Sequence, residues 1–199
     1  MALTPSTMLP LGTAAPDFEL PDVVSGKKIS LSSFKDKKAI LVMFICRHCP
    51  YVEHVKHELA RLGKDYVPQG VGVVAISSND AKNYPDDSPA KLKEMALELG
   101  FNFPFCYDET QAVAKKYAAA CTPDFFLFAA PYGRGVASPP QLAYRGQLDD
   151  SRPGNNKPLN GKDLRSAIDA VLAGRPVTGT QRPSIGCNIK WKPGNEPTY

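Results

Sequence analysis

The sequence predicts an α/β fold in which a central mixed β-sheet is flanked by helices. Buried strands alternate with amphipathic helices in the first half of the chain, which is typical of parallel strands joined by crossover helices. Two later strands, over residues 125–128 and 141–145, predict an antiparallel pair in the same sheet. We expect residues 1–176 to form one domain, which starts with a β-hairpin, and residues 177–199 to dock on it as a C-terminal extension.

The strands follow from two kinds of pattern. Residues 15–20 and 28–31 alternate polar and apolar side chains around Ser25-Gly26, which predicts the N-terminal hairpin. Residues 39–45 and 71–77 are unbroken apolar runs rich in β-branched side chains. Such runs are typical of strands buried on both faces of a sheet.

The helices follow from apolar spacing and from end signals. Residues 52–62 carry valines and leucines at spacings of three and four, directly after the first buried strand. A second helix is expected to begin at Ser88-Pro89, with the serine as N-cap, and to stop at Gly100. Asp108 is expected to cap a shorter helix, and residues 164–172 predict the closing one.

Composition restricts the function classes. The hydrophobic share of 43% and the charged share of 22% are those of an ordinary globular protein. The net charge of +4 comes without a long Lys/Arg cluster, so no nucleic-acid partner is expected. No apolar run is long enough for a membrane span. The N-terminus lacks the pattern of an export signal, so we expect a cytoplasmic protein, in which cysteines stay reduced unless they are catalytic.

The most informative stretch is Cys46-Arg47-His48-Cys49-Pro50, between the first buried strand and its helix. Two cysteines in this place form a dithiol at a helix N-terminus, where free N–H groups and the helix dipole stabilise a thiolate. Because the thiolate is the reactive form of cysteine, the placement predicts a redox-active Cys-x-x-Cys.

Other uses of the cysteine pair fit less well. A structural zinc site needs four ligands, and the sequence has no second Cys-x-x-Cys. His54 and His57 fall opposite the apolar stripe of their helix, beside Glu58 and Arg61, and are expected on its solvated face. A structural disulfide in so short a loop would add little stability. A copper site remains an alternative.

A second clue is Cys121-Thr122-Pro123, directly before the strand over residues 125–128. Proline removes a ladder N–H and is tolerated at the first residue of a strand, so it could simply begin one. Together with the strand–dithiol–helix unit, we favour a cis X-Pro bond beside the dithiol.

These features together resemble the thioredoxin superfamily. With the opening Ala15-Pro16-Asp17-Phe18-Glu19-Leu20, they resemble more narrowly the peroxiredoxin-like branch of the alkyl hydroperoxide reductase/thiol-specific antioxidant family, over about residues 11–174. The resemblance implies a thioredoxin-like fold in which Cys46 is the exposed nucleophile and Cys49 the resolving thiol. It also implies that Pro123 is cis and that the Thr122 backbone can pair with an extended substrate.

The chain departs from the peroxiredoxin pattern Pro-x-x-x-Thr-x-x-Cys. Aligned on the second cysteine of the pair, Val42 stands at the proline position and Cys46 at the threonine position. The arginine that the family places shortly before the Phe-rich strand is replaced by residues 118–121. Without that hydroxyl and guanidinium, the stabilisation of O–O cleavage is largely missing. Peroxidase activity stays an alternative because Arg145 or Arg152 could approach from elsewhere.

The two residues between the cysteines are candidates for tuning the site, together with Pro50. His48, as a cation or hydrogen-bond donor, would stabilise the Cys46 thiolate and therefore make the couple a stronger oxidant. Arg47 would act in the same direction, and the alternative is that both side chains point to water.

Of the three other cysteines, Cys106 and Cys121 are expected to pack as small apolar side chains, with a redox role as the alternative for Cys121. Cys187 lies in an apolar tail segment with the only tryptophan. It is either a third redox thiol that exchanges with Cys46 or an inert buried thiol.

The predicted function is a thiol–disulfide oxidoreductase that needs no metal or organic cofactor. Its expected partners are a protein or small-molecule disulfide substrate and a dithiol reductant; the oligomeric state does not follow from the sequence. One alternative is a thiol-dependent peroxidase. The other is a non-catalytic thioredoxin-like protein that senses redox state or holds a metal, as thioredoxin-like metallochaperones hold copper.

Overall fold

The computed structural model describes residues 3–130 and 138–199, and this part of the chain has the predicted α/β fold. The helices are α1 (Pro50–Tyr66), α2 (Pro89–Leu99), α3 (Ala112–Lys116) and α4 (Lys162–Leu172). The strands are β1 (Leu3–Pro5), β2 (Glu19–Pro21), β3 (Lys28–Ser30), β4 (Ala39–Phe44), β5 (Val71–Ser77), β6 (Phe105–Tyr107), β7 (Cys121–Thr122), β8 (Asp124–Ala129), β9 (Gln141–Gly146) and β10 (Ile185–Asn188).

The central sheet has the strand order β6-β5-β4-β8-β9. Strands β4, β5 and β6 are parallel, whereas β8 and β9 are antiparallel to their neighbours. The prediction of a mixed sheet with an antiparallel pair is therefore confirmed. Strand β6 was not predicted as a strand, because three residues are too few for a periodicity to be recognised.

Strand β4 lies in the middle of the sheet and is buried along its whole length. Its side chains alternate between two apolar clusters, as the two-residue period of a strand requires. Leu41 and Met43 face the cluster that contains α1, α2 and α4, while Val42 and Phe44 face the cluster that contains α3. Helices therefore cover both faces of the sheet.

The helix-end signals are mostly correct. Helix α2 has Ser88 as N-cap, proline at its first position and Gly100 at its C-cap with φ +63°. Helix α3 differs, because its N-cap is Gln111 rather than Asp108. Asp108 still contributes, since its Oδ2 accepts a hydrogen bond from the N–H of Ala114 at 3.0 Å. Among the described residues, no helix has the length and hydrophobicity needed to cross a bilayer.

The two ends of the chain meet in a small sheet of order β1-β10-β7. The C-terminal extension was expected to dock on the domain, but it was not predicted to form a strand. Ser6 and Ser184 extend the pairing, since the Ser6 N–H donates to the Ser184 carbonyl at 2.9 Å and the Ser184 N–H donates to Ser6 Oγ at 2.7 Å. The hairpin of β2 and β3 has the predicted location but is shorter than expected.

Candidate active site

The dithiol lies where β4 passes into α1. Cys49 is the N-cap of α1, with an extended backbone at φ −76° and ψ 122°, and Pro50 is the first helical residue. This is a favourable position for proline, whose missing N–H would have no partner inside the helix. Residues 46–49 therefore lie directly in front of the free N–H groups of a 17-residue helix.

Both sulfurs contact the segment before β8. Cys46 Sγ lies 3.3 Å from Thr122 Oγ1, and Cys49 Sγ lies 3.2 Å from the Thr122 carbonyl oxygen. The Thr122–Pro123 peptide is cis, as the resemblance implied. The two predicted parts of the site are thus brought together by the sheet, because β4 and β8 are neighbours.

Neither cysteine of the pair is exposed. Cys46 and Cys49 both have 0% of their surface accessible to solvent. The expectation that Cys46 is an exposed nucleophile is therefore wrong for this conformation. The tail strand β10, which pairs with β7, contributes Cys187 to the apolar cluster that contains both cysteines.

The hydrogen bonds around the sulfurs favour a thiolate at Cys49. A hydrogen bond from the Cys46 thiol lowers the pKa of Cys49 to about 5, and hydrogen bonds from Cys187 and from the N–H of Val52 act in the same direction. Burial raises the pKa of Cys46 well above its ordinary value, and the neighbouring Cys49 and Asp87 add to this. The stabilised thiolate was expected at Cys46, whereas the hydrogen-bond donors around Cys49 lower the pKa of that thiol instead.

Asp87 holds the loop between the cysteines in place. Its buried carboxylate accepts hydrogen bonds from the N–H groups of Arg47 at 2.7 Å and His48 at 3.1 Å. It also accepts from the Asn79 side chain at 2.7 Å and from His48 Nδ1. Asp87 was not predicted as a site residue, because nothing in the local pattern of residues 85–88 distinguishes it from an ordinary turn aspartate.

The side chains of Arg47 and His48 are directed to acidic partners. The hydrogen bond to Asp87 raises the pKa of His48, whose ring also stacks on Tyr84 with 5.5 Å between the ring centroids. Arg47 lies 3.2 Å from a carboxylate oxygen of Glu94. Both residues thus border the dithiol, but their strongest charge contacts are to carboxylates rather than to the sulfurs.

The third candidate thiol, Cys187, belongs to β10 and lies opposite Thr122 in the β7–β10 pair. Cys187 is hydrogen-bonded to Cys49. The residue with which it was expected to exchange was Cys46. Cys106 and Cys121 are buried, and burial raises the pKa of the Cys106 thiol to about 12. Both positions agree with the packing role expected of these two cysteines.

Strand β10 also occupies the backbone edge that was expected to receive a substrate. Thr122 and Cys121 pair with Cys187 and Asn188. In this conformation the Thr122 backbone is therefore not available to an external peptide, which corrects the expectation for this residue. The tail takes that place because Gly186 lets the two backbones approach closely.

The two arginines considered for peroxide activation are hydrogen-bonded to groups other than the dithiol, although Arg152 lines a small cavity together with Pro123 and Ser184. Arg145 donates to the Leu9 carbonyl at 2.9 Å and to Gln181 at 2.8 Å. Arg152 donates to the carbonyl of Ser151 at 2.7 Å and to Gln147 at 2.6 Å. Neither interaction directs a guanidinium group to the dithiol.

One group of side chains has the composition of a metal site. Ligand atoms of Cys46, His48 and Asp87 lie within 4.8 Å of one another. Each of these side chains already has hydrogen-bond partners in the site, since His48 is bonded to Asp87 and Cys46 to Thr122. A bound metal would therefore have to replace the hydrogen bond between His48 and Asp87.

Two solved structures are similar to this chain over almost its full length. An uncharacterized conserved protein from Geobacillus kaustophilus is 54% identical, with a TM-score of 0.91 and coverage of 98% of each chain. A hypothetical protein from Sinorhizobium meliloti 1021 is 48% identical, with a TM-score of 0.90, over 96% of this chain and 100% of that one.

More distant structures share the fold alone. A thiol:disulfide interchange protein of the thioredoxin family from Chlorobium tepidum is 19% identical, with a TM-score of 0.58, over 81% of this chain and 97% of that one. No curated protein matches the sequence. The model of the AhpC/TSA family matches residues 11–136.

Proposed function

The chain belongs to the AhpC/TSA family, and we propose that it is a thiol–disulfide oxidoreductase with Cys46 and Cys49 as its redox couple. Thiol-based redox activity agrees with the family and with the thioredoxin-like fold. The observation that carries the more specific proposal is the placement of both sulfurs directly before α1 and against the same residue, since Cys46 Sγ and Cys49 Sγ lie 3.3 Å and 3.2 Å from oxygen atoms of Thr122. Two cysteines that are held against one residue in the same short loop can form a disulfide without a large movement of the backbone.

The proposed reaction begins at Cys49. Its thiolate attacks one sulfur of a substrate disulfide, which forms a mixed disulfide and releases the other substrate sulfur as a thiolate. Cys46 then loses its proton and attacks Cys49 Sγ, which releases the second substrate thiol and leaves a Cys46–Cys49 disulfide. A dithiol reductant returns the pair to the reduced form. The resemblance implied the opposite order of the two cysteines, whereas the hydrogen-bond donors around Cys49 favour this residue as the attacking thiol.

A thiol-dependent peroxidase is the second candidate. It is favoured by the family and by the acidic thiol of Cys49, which holds the position of the peroxidatic cysteine in the family pattern. It is disfavoured because Cys46 stands where the pattern has threonine, and because the guanidinium groups of Arg145 and Arg152 are hydrogen-bonded to groups other than the dithiol.

The deciding experiment compares two oxidants under the same conditions. Reduced protein is mixed with excess oxidised glutathione or with hydrogen peroxide, and released glutathione or consumed peroxide is followed together with the protein disulfides. We expect glutathione release with formation of the Cys46–Cys49 disulfide, loss of that disulfide in Cys46→Ser and Cys49→Ser, and unchanged behaviour in Cys106→Ser. Rapid catalytic loss of peroxide without disulfide exchange would instead support the peroxidase, and tight metal uptake without either reaction would support a metal-holding protein.

The order of the two cysteines has its own test. Reduced protein is alkylated with iodoacetamide over a range of pH values, and the labelled cysteine is identified by peptide mass spectrometry. We expect Cys49 to be labelled first, with a midpoint well below the ~8.5 of a free thiol. Faster labelling of Cys46 would restore the order that the resemblance implied.

A further inference from the structure

Strand β10 lies against the dithiol in the way that an extended substrate would lie. In the β7–β10 pair, Cys187 is opposite Thr122, and Asn188 is opposite Cys121. An added strand on an open sheet edge is a common form of peptide recognition, in which main-chain hydrogen bonds supply the affinity. In this protein the chain's own tail makes these hydrogen bonds.

The tail strand is held on both sides of Cys187. Before it, Ser184 Oγ donates a hydrogen bond to the Pro123 carbonyl at 2.6 Å, and after it the Ile189 N–H donates to the Ala120 carbonyl at 3.1 Å. A Cβ at Gly186 would clash with the Thr122 carbonyl group, so this close approach requires glycine. These contacts fix the register that brings Cys187 to the dithiol.

Cys187 therefore has the position of a substrate cysteine. It is hydrogen-bonded to Cys49, and it is 4% exposed while both cysteines of the pair are fully buried. Thr122 connects the two residues geometrically, because Cys49 Sγ lies 3.2 Å from its carbonyl oxygen and Cys187 is its partner in the β7–β10 pair.

We propose that β10 is a built-in substrate strand and that Cys187 is a second resolving thiol for Cys49. The proposal rests on the proposed function, because a substrate disulfide supplies the oxidising equivalents. After Cys49 has formed a mixed disulfide, Cys187 attacks Cys49 Sγ. The new Cys49–Cys187 bond replaces the bond to the substrate, and the proton of Cys187 passes to the departing substrate thiolate. Because the strand covers the Thr122 edge, small disulfides reach Cys49 more readily than folded proteins do.

The test uses the full-length Cys46→Ser variant, in which the other resolving thiol is absent. The reduced variant is treated with oxidised glutathione and analysed by intact mass and by non-reducing peptide mapping. We expect a Cys49–Cys187 disulfide and no retained glutathione. In Cys46→Ser/Cys187→Ser, we expect Cys49 to retain one glutathione, because serine preserves the size and the hydrogen bond of Cys187 but cannot resolve the adduct. Cys46→Ser/Cys106→Ser is the matched control and should behave like Cys46→Ser.

A glutathione adduct that persists on Cys49 in Cys46→Ser while Cys187 stays reduced would overturn this proposal. The result remains separate from the test of the proposed function, because the wild-type protein would still form its Cys46–Cys49 disulfide. Circular dichroism of each variant ensures that an unfolded protein is not scored. If a serine variant at position 187 fails to fold, Cys187→Ala in the same background replaces it.

Discussion

At the scale of single residues, the site depends on one buried carboxylate. Asp87 accepts hydrogen bonds from two backbone N–H groups between the cysteines and from two side chains. Burial alone would raise the pKa of Asp87, but the hydrogen bonds from His48 and Asn79 lower it below the ordinary value. The geometry of the Cys-x-x-Cys loop is thus set by a residue almost forty positions away in the sequence.

The first prediction concerns the pair formed by Asp87 and His48. In Asp87→Asn the carboxylate is lost while an amide oxygen can still accept the backbone hydrogen bonds. We expect the pKa of His48 to fall towards ~6.5, the ordinary value for histidine. The measurement is an NMR titration of the His48 ring. An unchanged titration would mean that another group raises the pKa of His48.

The pair of Asp87 and His48 also makes the free energy of unfolding depend on pH. Since the folded-state pKa of His48 is raised, its stabilisation is complete below the ordinary histidine pKa and is lost as the pH rises through the raised value. We therefore expect Asp87→Asn to lower the free energy of unfolding by about 1–3 kcal/mol at pH values below the ordinary histidine pKa. At pH values above the raised pKa of His48, urea titrations should give a smaller loss. His57→Ala, on the predicted solvated face of α1, serves as a histidine control.

At the scale of secondary-structure elements, two contacts between distant segments were not visible in the local pattern. One is β10 on β7, which covers the dithiol. The other joins α1 to α4 through Glu58, which is 2% exposed although it was expected on the solvated face of α1. Its carboxylate pairs with Arg61 at 2.5 Å and with Arg165 at 2.7 Å.

The second prediction concerns the position of β10. In Gly186→Ala the added Cβ would collide with the Thr122 carbonyl, so the strand must move away from β7. We expect faster alkylation of Cys49 in the reduced protein, because its cover is displaced. Gly26→Ala is the control, since it strains a hairpin glycine at φ +71° where the new Cβ has no atom within 4 Å. Equal rates in both variants and the wild-type protein would argue against β10 as the cover.

The third prediction concerns the link between α1 and α4. Arg165→Ala leaves the buried Glu58 with Arg61 as its remaining ion-pair partner. Because an incompletely paired buried charge is costly, we expect the free energy of unfolding to fall by about 3 kcal/mol. Lys28→Ala removes the exposed ion pair with Glu19 and should cause no measurable change. Urea unfolding of both variants tests this, and equal effects would contradict it.

At the scale of the whole molecule, the two chain ends converge on the start of β8. Strands β1 and β10 pair next to β7, and the Ser6–Ser184 hydrogen bonds lie beside Pro123. The neighbouring Asp124 is fully buried, and among the described residues its Oδ2 has no hydrogen-bond partner. Burial raises the pKa of Asp124 to about 7.

The fourth prediction follows from this buried carboxyl group. The folded protein keeps the Asp124 proton to a higher pH than the unfolded chain does, so stability falls as the pH rises from the ordinary carboxyl value of 3.8 towards the folded pKa of about 7. In Asp124→Asn the side chain at this position is neutral at every pH. The variant should therefore lack the part of the fall in stability that comes from ionisation of Asp124. We expect the variant to be more stable than the wild-type protein at about pH 8, by a few kcal/mol at most, with a much smaller difference at about pH 5.

Urea unfolding of the two proteins at both pH values provides the measurement. A constant difference between them would contradict the prediction, because it would assign Asp124 a hydrogen-bonding role without titration. Asp17→Asn is a control for the loss of an aspartate elsewhere in the chain.

The features that could be predicted from the sequence are those with local signals. The buried run of β4, the three- and four-residue spacing in α1, and the Ser88 and Gly100 ends of α2 all follow from neighbouring residues. The dithiol and the proline of Thr122-Pro123 could likewise be predicted to meet, because the strand order of a recognised fold brings them together.

The surroundings of the dithiol could not be predicted from local patterns. The carboxylate of Asp87, the thiol of Cys187 and the edge of Thr122 come from segments that are distant in sequence, and no periodicity connects them. The acidity of a thiol depends on burial and on the number of donors that reach it, and both are properties of packing. For this reason the two cysteines could be predicted from the sequence as a dithiol, whereas the proposal that Cys49 is the attacking thiol rests on the fold.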